Sequence, residues 1–303
     1  MISTEQTPLD SIMEALFTPY KKRVADVDKI ISAMIQNKLI SNEEAIVNDH
    51  IAFRTLGVPN LGIASFEKIF LHHGYKRMEP YHFPEKKLDA YWYAPPEERL
   101  PRIFISELRV QDLSEQAQGI IGNYTGQVTS DPVDQLNLND LTAVGEFFHK
   151  PLWSLPTLAD YKLLLEESEY AAWVIYNRYY LNHYTISVHE LPEAYANLEN
   201  FNSFLESIGI ALNSAGGKLK ESKDGLLRQS SSVAQMVDAE FANGEKTKIA
   251  GSYVEFAERL PLPEFKGLAK EQLSRNHRRE GFEAANADKI FESTYTEQTA
   301  KTN

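Results

Sequence analysis

Three side chains in separate parts of the chain, His50, His183 and Glu255, are of types that bind divalent metal ions. Each lies in a stretch that alternates apolar and polar residues as a half-buried strand does, so all three can point into one cavity. Two imidazoles and one carboxylate on one side of an ion form a facial triad, which leaves positions open for substrate and oxygen. We therefore predict a metal centre of the non-haem Fe(II) oxygenase kind, although Mn(II) or Co(II) also suits these donors.

The metal prediction depends on the pairing of the two histidines, because a lone histidine in a strand is more often a hydrogen-bonded core residue. His50 and His183 occur at matching places in an internal repeat, which favours a shared role. His189 lies six positions after His183. That separation is about 20 Å along a strand, too far for both to bind one ion. Glu258 points away from Glu255 in a regular strand, so only one of the two can be a ligand.

Arg54 lies four positions after His50 on the same strand face. Its planar guanidinium can hold a carboxylate through two hydrogen bonds, which suits a substrate with a carboxylate several carbons from the metal. The alternative is a salt bridge at the rim of the sheet. The formal net charge is −12, so an anionic substrate needs a local positive site of this kind.

Two modules with the element order βαβββ, residues 46–110 and 179–260, would position these side chains. The predicted strands of the first module are 46–56, 75–83, 88–94 and 102–110. Those of the second module are 181–188, 225–233, 236–241 and 250–259. The first helix is predicted to begin at an N-cap Ser65, and the second to end at Gly209. The sheets of two such modules can join into one curved, half-open barrel around a shared cavity.

Helices are added around the modules to give an α+β fold, which we expect to form a single compact domain over residues 1–303. Residues 8–37 form a pair of helices that Pro19 and Tyr20 separate. Residues 111–178 form a helical insertion in which Thr157 begins a helix. Residues 261–303 are expected to wrap the surface.

Composition excludes several classes of protein and site. The chain of 303 residues is acidic, with pI about 5.2, so a broad basic surface for nucleic acid is not expected. Cysteine is absent, which excludes thiolate metal sites and thiol nucleophiles. No apolar run approaches the roughly 20 residues of a membrane helix. Residues 1–6 lack the features of a signal peptide, and the expected location is the cytoplasm.

Several segments resemble a known family, the one once called domain of unknown function 1338. They are Asn48-Asp49-His50-Ile51-Ala52-Phe53-Arg54, Asn182-His183-Tyr184-Thr185, Leu226-Leu227-Arg228-Gln229-Ser230-Ser231-Ser232-Val233-Ala234, Tyr253-Val254-Glu255-Phe256-Ala257-Glu258-Arg259 and residues 281–294. The resemblance covers about residues 8–295. Characterised members of the family are 2-oxoadipate dioxygenase/decarboxylases, also called hydroxyglutarate synthases.

The resemblance implies a vicinal-oxygen-chelate-like fold with an Fe(II) cofactor held by His50, His183 and Glu255. It further implies that Arg54 holds a substrate carboxylate and that Ser230 or Ser231 touches the substrate. The implied small-molecule partners are a 2-oxo acid and O2, and the implied reaction converts 2-oxoadipate and O2 to 2-hydroxyglutarate and CO2, with a role in lysine catabolism.

Two other functions stay open on the sequence. The first is a metal-dependent hydrolase, lyase or isomerase on the same fold, which uses the ion as a Lewis acid. The second is a binding module without enzyme activity that has kept the cavity. The sequence leaves the oligomeric state open.

Overall fold

An eight-stranded mixed sheet organises residues 7–301, the part of the chain that the computed structural model describes. The strands of the first half are β1 (Asn48–Leu56), β2 (Lys76–Phe83), β3 (Leu88–Ala94) and β4 (Arg102–Leu108). The second half contains β5 (His183–Ser187), β6 (Lys220–Glu221), β7 (Leu227–Ser231) and, after an inserted hairpin of β8 (Met236–Glu240) and β9 (Lys246–Ala250), β10 (Tyr253–Arg259). The order across the sheet is β2-β3-β4-β1-β5-β10-β7-β6.

The two halves repeat the same topology, which confirms the predicted βαβββ modules. In each half the first strand pairs in parallel with the last one, β1 with β4 and β5 with β10. The last strand then pairs antiparallel with the strand before it in the module, β4 with β3 and β10 with β7. The halves meet at the antiparallel pair of β1 and β5, and the sheet curls into the predicted half-barrel.

One predicted strand of the second module lies outside the eight-stranded sheet. The segment predicted at 236–241 forms β8, which pairs with β9 in a separate two-stranded sheet. The partner strand β9 was not predicted from the sequence. The hairpin is an insertion between the last two sheet strands of the second module, so the four-stranded pattern of that module is completed by the short β6.

Ten α-helices surround the sheet in the described residues. They are α1 (Pro8–Arg23), α2 (Ala25–Gln36), α3 (Ile63–His72), α4 (Glu115–Thr125), α5 (Leu141–Phe147), α6 (Leu158–Glu167), α7 (Glu169–Asn177), α8 (Leu198–Ser207), α9 (Ala284–Phe291) and α10 (Thr296–Thr299). Thr157 caps α6 through a hydrogen bond from the amide of Asp160, as predicted. None of these helices is both long and apolar enough to cross a membrane.

The predicted break at Pro19 and Tyr20 is wrong. Pro19 lies inside α1, and the helix ends before Val24. A proline in a helix leaves the carbonyl four residues earlier without its N–H donor. Here that carbonyl belongs to Ala15, and the ring Nε2 of His149 lies 2.9 Å from its oxygen and donates in place of the missing amide.

The predicted N-cap at Ser65 is also wrong. The α3 helix begins at Ile63, after Gly62, whose φ of 78° favours glycine. Ser65 therefore lies in the first turn, where its hydroxyl donates to Asp131 at 2.6 Å.

The C-terminal segment does more than cover the surface. Phe282, Ile290 and Phe291 are buried and lie over the concave face of the sheet, where they line the cavity beside the predicted ligands. The segment from 281 to 294 thus forms one wall of the site.

Candidate metal centre

The strand register brings the three predicted ligands together at the seam of the two modules. Ala52 of β1 lies beside His183 of β5, and Thr185 of β5 lies beside Glu255 of β10. One ligand atom from each of His50, His183 and Glu255 lies within 4.8 Å of the others, and all three residues are buried. Nε2 of His50 is 3.4 Å from Glu255 Oε1, and Nε2 of His183 is 3.0 Å from Glu255 Oε2.

Each histidine is oriented by the residue that precedes it. His50 Nδ1 lies 2.8 Å from Asp49 Oδ1, and His183 Nδ1 lies 3.0 Å from Asn182 Oδ1. A carboxylate and an amide oxygen can only accept, so Nδ1 carries a proton in both rings, and Nε2 is the nitrogen that faces Glu255. Two neutral imidazole nitrogens and a carboxylate oxygen are suitable donors for a divalent transition metal.

These two orienting residues were not predicted from the sequence. Asp49 and Asn182 precede their histidines at equivalent places in the repeat, which is the signal that could have identified them. Asp49 reaches the ring of its own neighbour because the pairing of β1 with β5 is irregular between Asn48 and Ile51.

Two arginines hold Asp49 in place. Arg259 donates to its two carboxylate oxygens at 2.7 and 3.0 Å, and Arg102 donates at 3.2 Å. Burial alone would raise the pKa of Asp49, but the two guanidinium groups outweigh burial and hold it well below its usual range. Asp49 is therefore held as a carboxylate, the form in which it accepts from His50 Nδ1.

The charges of the triad depend on one another. Burial would raise the pKa of Glu255, but the two imidazoles beside it lower that pKa well below its usual range. For His50, the carboxylates of Glu255 and Asp49 outweigh burial and raise the pKa, whereas burial lowers the pKa of His183. The site thus keeps Glu255 ionised and favours a neutral His183, the forms in which both residues bind a cation.

Gln229 is a further residue of the centre that the sequence analysis did not single out. Its Nε2 donates to Glu255 Oε1 at 2.7 Å, and its Oε1 accepts from Asn286 Nδ2 at 3.0 Å. Gln229 also lines the cavity. It fixes the orientation of the ligand carboxylate, and Asn286 in turn fixes which end of the amide faces Glu255.

Ser230 and Ser231 do not share this position. Ser231 lies opposite Glu255 in the pairing of β7 with β10, but its hydroxyl is 2.8 Å from that of Ser293. Ser230 lies on the other face of the sheet, where it donates to Asn202 of α8 at 2.7 Å. The structure therefore places Ser230 away from the cavity, and Gln229 provides the polar group of β7 that faces it. The predicted substrate contact of Ser230 or Ser231 stays a prediction.

Arg54 lies in the same cavity as the triad and is only 1% exposed. Its Nη1 donates to Thr294 Oγ1 and its Nη2 to the carbonyl of Phe291, both at 2.9 Å, while its Nε is buried without a partner. Among residues 7–301 no carboxylate forms an ion pair with it. The alternative of a rim salt bridge is therefore wrong, and Arg54 is a buried cation that offers donors to an anion.

The cavity around these groups is small and mostly apolar. Its volume is about 20 Å³. Phe282 forms part of its wall, with a ring centroid 4.8 Å from that of His50. A larger cavity of about 650 Å³ lies on the other side of Phe282, between β2, β3 and residues 275–282. Phe282 thus separates the metal centre from a space that is open to solvent.

A sequence profile of the 2-oxoadipate dioxygenase/decarboxylase family matches residues 12–270. The chain belongs to this family. A member from Arabidopsis thaliana, the chloroplastic 2-oxoadipate dioxygenase/decarboxylase, is 43% identical over 86% of this chain and 71% of its own length. The chloroplastic/amyloplastic member from Oryza sativa subsp. japonica is 40% identical over 99% of this chain and 85% of its own length.

Solved structures agree with this family membership. The hydroxyglutarate synthase from Oryza sativa, crystallised in complex with 2-oxoadipate, is 41% identical with a TM-score of 0.86 and covers 96% of this chain and 93% of that chain. A protein described as a member of the glyoxalase superfamily, from Ralstonia eutropha JMP134, is 21% identical with a TM-score of 0.68 over 94% of this chain and 89% of that chain. The latter shares the fold, which confirms the predicted vicinal-oxygen-chelate-like architecture.

One expectation is contradicted by the family members. Both curated relatives are named as plastid proteins, one chloroplastic and the other chloroplastic/amyloplastic. The predicted cytoplasmic location is therefore wrong, and residues 1–6, on which it was based, lie outside the described part of the chain.

Proposed function

We propose that this protein is a dioxygenase/decarboxylase that converts 2-oxoadipate and O2 to 2-hydroxyglutarate and CO2. One observation carries the choice of a dicarboxylic substrate: the buried guanidinium of Arg54 has no acidic partner in the described residues and faces the same cavity as the triad. A buried charge without a partner is costly, so a site that keeps one is suited to an anionic ligand. A role in lysine catabolism stays a prediction.

The proposed cofactor is Fe(II), held by Nε2 of His50, Nε2 of His183 and the carboxylate of Glu255. When bound, the ferrous ion supplies the positions and the electrons through which a 2-oxo acid and O2 react. Asp49 and Asn182 accept the Nδ1 protons of the two rings, which turns Nε2 of each ring toward the position of the ion. Gln229 keeps Glu255 turned toward the histidines.

The chain also orients the substrate. Its 2-oxo acid end would face the triad, and its distal carboxylate would accept hydrogen bonds from Arg54, whose two Nη atoms are already fixed by Thr294 and the Phe291 carbonyl. Phe104, Phe282 and Phe291 line the space between and exclude water from the reacting end of the substrate. This arrangement favours attack within one bound molecule over release of an intermediate.

The test is oxygen uptake by the full chain, loaded with Fe(II) under anaerobic conditions and then mixed with 2-oxoadipate and air. We expect O2 consumption, CO2 and 2-hydroxyglutarate in equal amounts. His183→Ala and Glu255→Ala should abolish the reaction, whereas the surface variant His72→Ala should retain it.

Two outcomes would contradict the proposal. The first is no oxygen uptake by the iron-loaded wild type with any of several 2-oxo acids. The second is turnover of such an acid without oxygen and with Zn(II) in place of iron, which would favour the hydrolase, lyase or isomerase alternative.

A further inference from the structure

Two neighbouring rows of residues cross the four central strands in the order β4, β1, β5, β10. The row through His50 contains Arg102, His50, Thr185 and Glu255. The row through His183 contains Phe104, Ala52, His183 and Tyr253. Both rows belong to the concave face, because residues that are directly paired on neighbouring strands point to the same side of a sheet.

The two rows are related by the internal repeat. Glu255 lies two strands away from His50, with Thr185 between them. Phe104 lies two strands away from His183, with Ala52 between them. Because β4 in the first module corresponds to β10 in the second, Phe104 stands at the position that a second carboxylate ligand would occupy if the repeat were symmetrical.

Phe104 faces the cavity of the metal centre and not the opposite side of the sheet. It lines that cavity together with His50 and Glu255, and it is buried. Its ring centroid lies 4.9 Å from that of Phe282, which in turn contacts the ring of His50. A phenyl ring has no lone pair to donate to a cation, so the first module contributes one ligand where the second contributes two.

We propose that Phe104 is a specificity-determining residue, which keeps the side of the metal facing β4 free of protein ligands. This inference rests on the proposed metal-dependent function and deepens it. A 2-oxo acid that binds through two oxygens, together with O2, needs the three positions that a facial triad leaves open. A carboxylate at residue 104 would take one of them and convert an oxygenase centre into a four-ligand site of the kind that suits Lewis-acid chemistry.

The decisive test removes the carboxylate at residue 255 and introduces one at the equivalent position of the other module, residue 104. Metal binding by the purified full chain would be measured by competition for Co(II) and Zn(II) with a chromophoric chelator. We expect Glu255→Ala to weaken binding, and the added substitution Phe104→Glu to recover at least about tenfold of the lost affinity, since it restores two nitrogens and one oxygen around the ion. The matched double variant Glu255→Ala/Phe104→Leu should recover nothing.

The single variants give a second readout. Phe104→Glu alone should bind Co(II) more tightly than the wild type, and 2-oxoadipate should no longer change the visible absorption bands of the bound Co(II). Phe104→Leu, which adds no donor atom, should not bind Co(II) more tightly than the wild type. Circular dichroism and thermal melting would establish that the variants are folded, and Phe104→His, which adds a neutral ligand, replaces Phe104→Glu if the latter does not fold.

The inference is overturned if folded Glu255→Ala/Phe104→Glu binds metal no better than Glu255→Ala/Phe104→Leu. This result is distinguishable from failure of the proposed function, because the affinity comparison requires no turnover. A wild type that consumes no oxygen would count against the proposed oxygenase function. The inference about Phe104 would still be decided by the metal affinities of the two double variants.

Discussion

Gln229 donates a 2.7 Å hydrogen bond to Glu255 Oε1, the same oxygen that lies 3.4 Å from His50 Nε2. The amide of Gln229 is itself held by Asn286 on α9, at 3.0 Å. The orientation of the ligand carboxylate is therefore set by a relay from the C-terminal segment through β7 to β10. Groups of this kind, which contact a metal ligand and not the metal, commonly change metal affinity by about 10- to 100-fold.

Replacement of Gln229 should therefore weaken metal binding without unfolding the protein. We expect Gln229→Ala to lower the affinity for Fe(II) or Co(II) by about tenfold, because Glu255 can then rotate away from the histidines. Chelator competition measures this loss. Gln235→Ala serves as the control, since Gln235 donates to Asp26 on α2. Equal affinities for the two variants would show that Gln229 does not position Glu255.

Replacement of Arg54 should change which substrates are used. Arg54→Met removes the buried donors to a distal carboxylate, and a hydrogen bond to a charged group contributes about 1.5–3 kcal/mol, so KM for 2-oxoadipate should rise by about 10- to 100-fold. A 2-oxo acid of the same length that ends in a methyl group should be affected little. The measurement is kcat/KM for both acids in wild type and variant. An equal loss with both would place Arg54 outside the distal contact.

Phe282 should control entry of the substrate. The cavity of about 20 Å³ beside the triad is too small for a six-carbon dicarboxylate, and Phe282 lines both this cavity and the outer cavity of about 650 Å³. We expect Phe282→Ala to accelerate binding of 2-oxoadipate, measured by stopped-flow absorption of the Co(II) protein, and to lower Tm, because a buried phenyl ring is lost. Phe265→Ala, at a ring that packs on His277, should leave the binding rate unchanged.

Lys220 should make stability depend on pH. Its Nζ is buried and donates to the Asn213 carbonyl at 2.8 Å, and burial lowers its pKa from 10.5 to about 8. Between these two values the unfolded chain binds the proton and the folded chain does not, so this residue makes stability rise with pH over that window and has no such effect below about pH 8.

Lys220→Met should abolish that rise and stabilise the protein at pH 7, by an amount on the order of 2 kcal/mol. Urea unfolding at pH 7.5 and pH 10 measures the difference for each variant. Lys218→Met is the matched control, because Lys218 is an exposed lysine two positions away in the chain. If both variants follow the wild-type pH dependence, Lys220 is not charged differently in the folded and unfolded chain.

The convergence of the triad could be predicted because it follows from local patterns. His50 and His183 lie in alternating strands at equivalent positions of a repeat, and Glu255 lies in a third strand of the same kind. Because side chains alternate between the two faces of a strand, Glu258 was excluded as a metal ligand. In the structure it accepts from Arg228 and from the amide of Leu198, outside the cavity. Distance excluded His189, which lies in a short helical turn after β5.

The remaining part of the site could not be predicted, because it depends on contacts between distant segments. Gln229 and Ser230 are neighbours in the sequence, and only the register of β7 against β10 decides which of them faces the cavity. Phe282 and Asn286 are far from the strands in sequence and reach the centre through the fold of the C-terminal segment. A helix break was wrongly predicted at Pro19, because the residue that compensates for the missing amide, His149, lies 134 residues away from Ala15 in the sequence.

The seam between β1 and β5 has a consequence for the lifetime of the protein. One ligand comes from the first repeat and two come from the second, so a cation held by all three fastens together halves whose strands otherwise meet along one antiparallel pair. Ligands that bind only the folded state stabilise it by mass action. Loss of a cation bound at this site would therefore weaken the junction between the two halves.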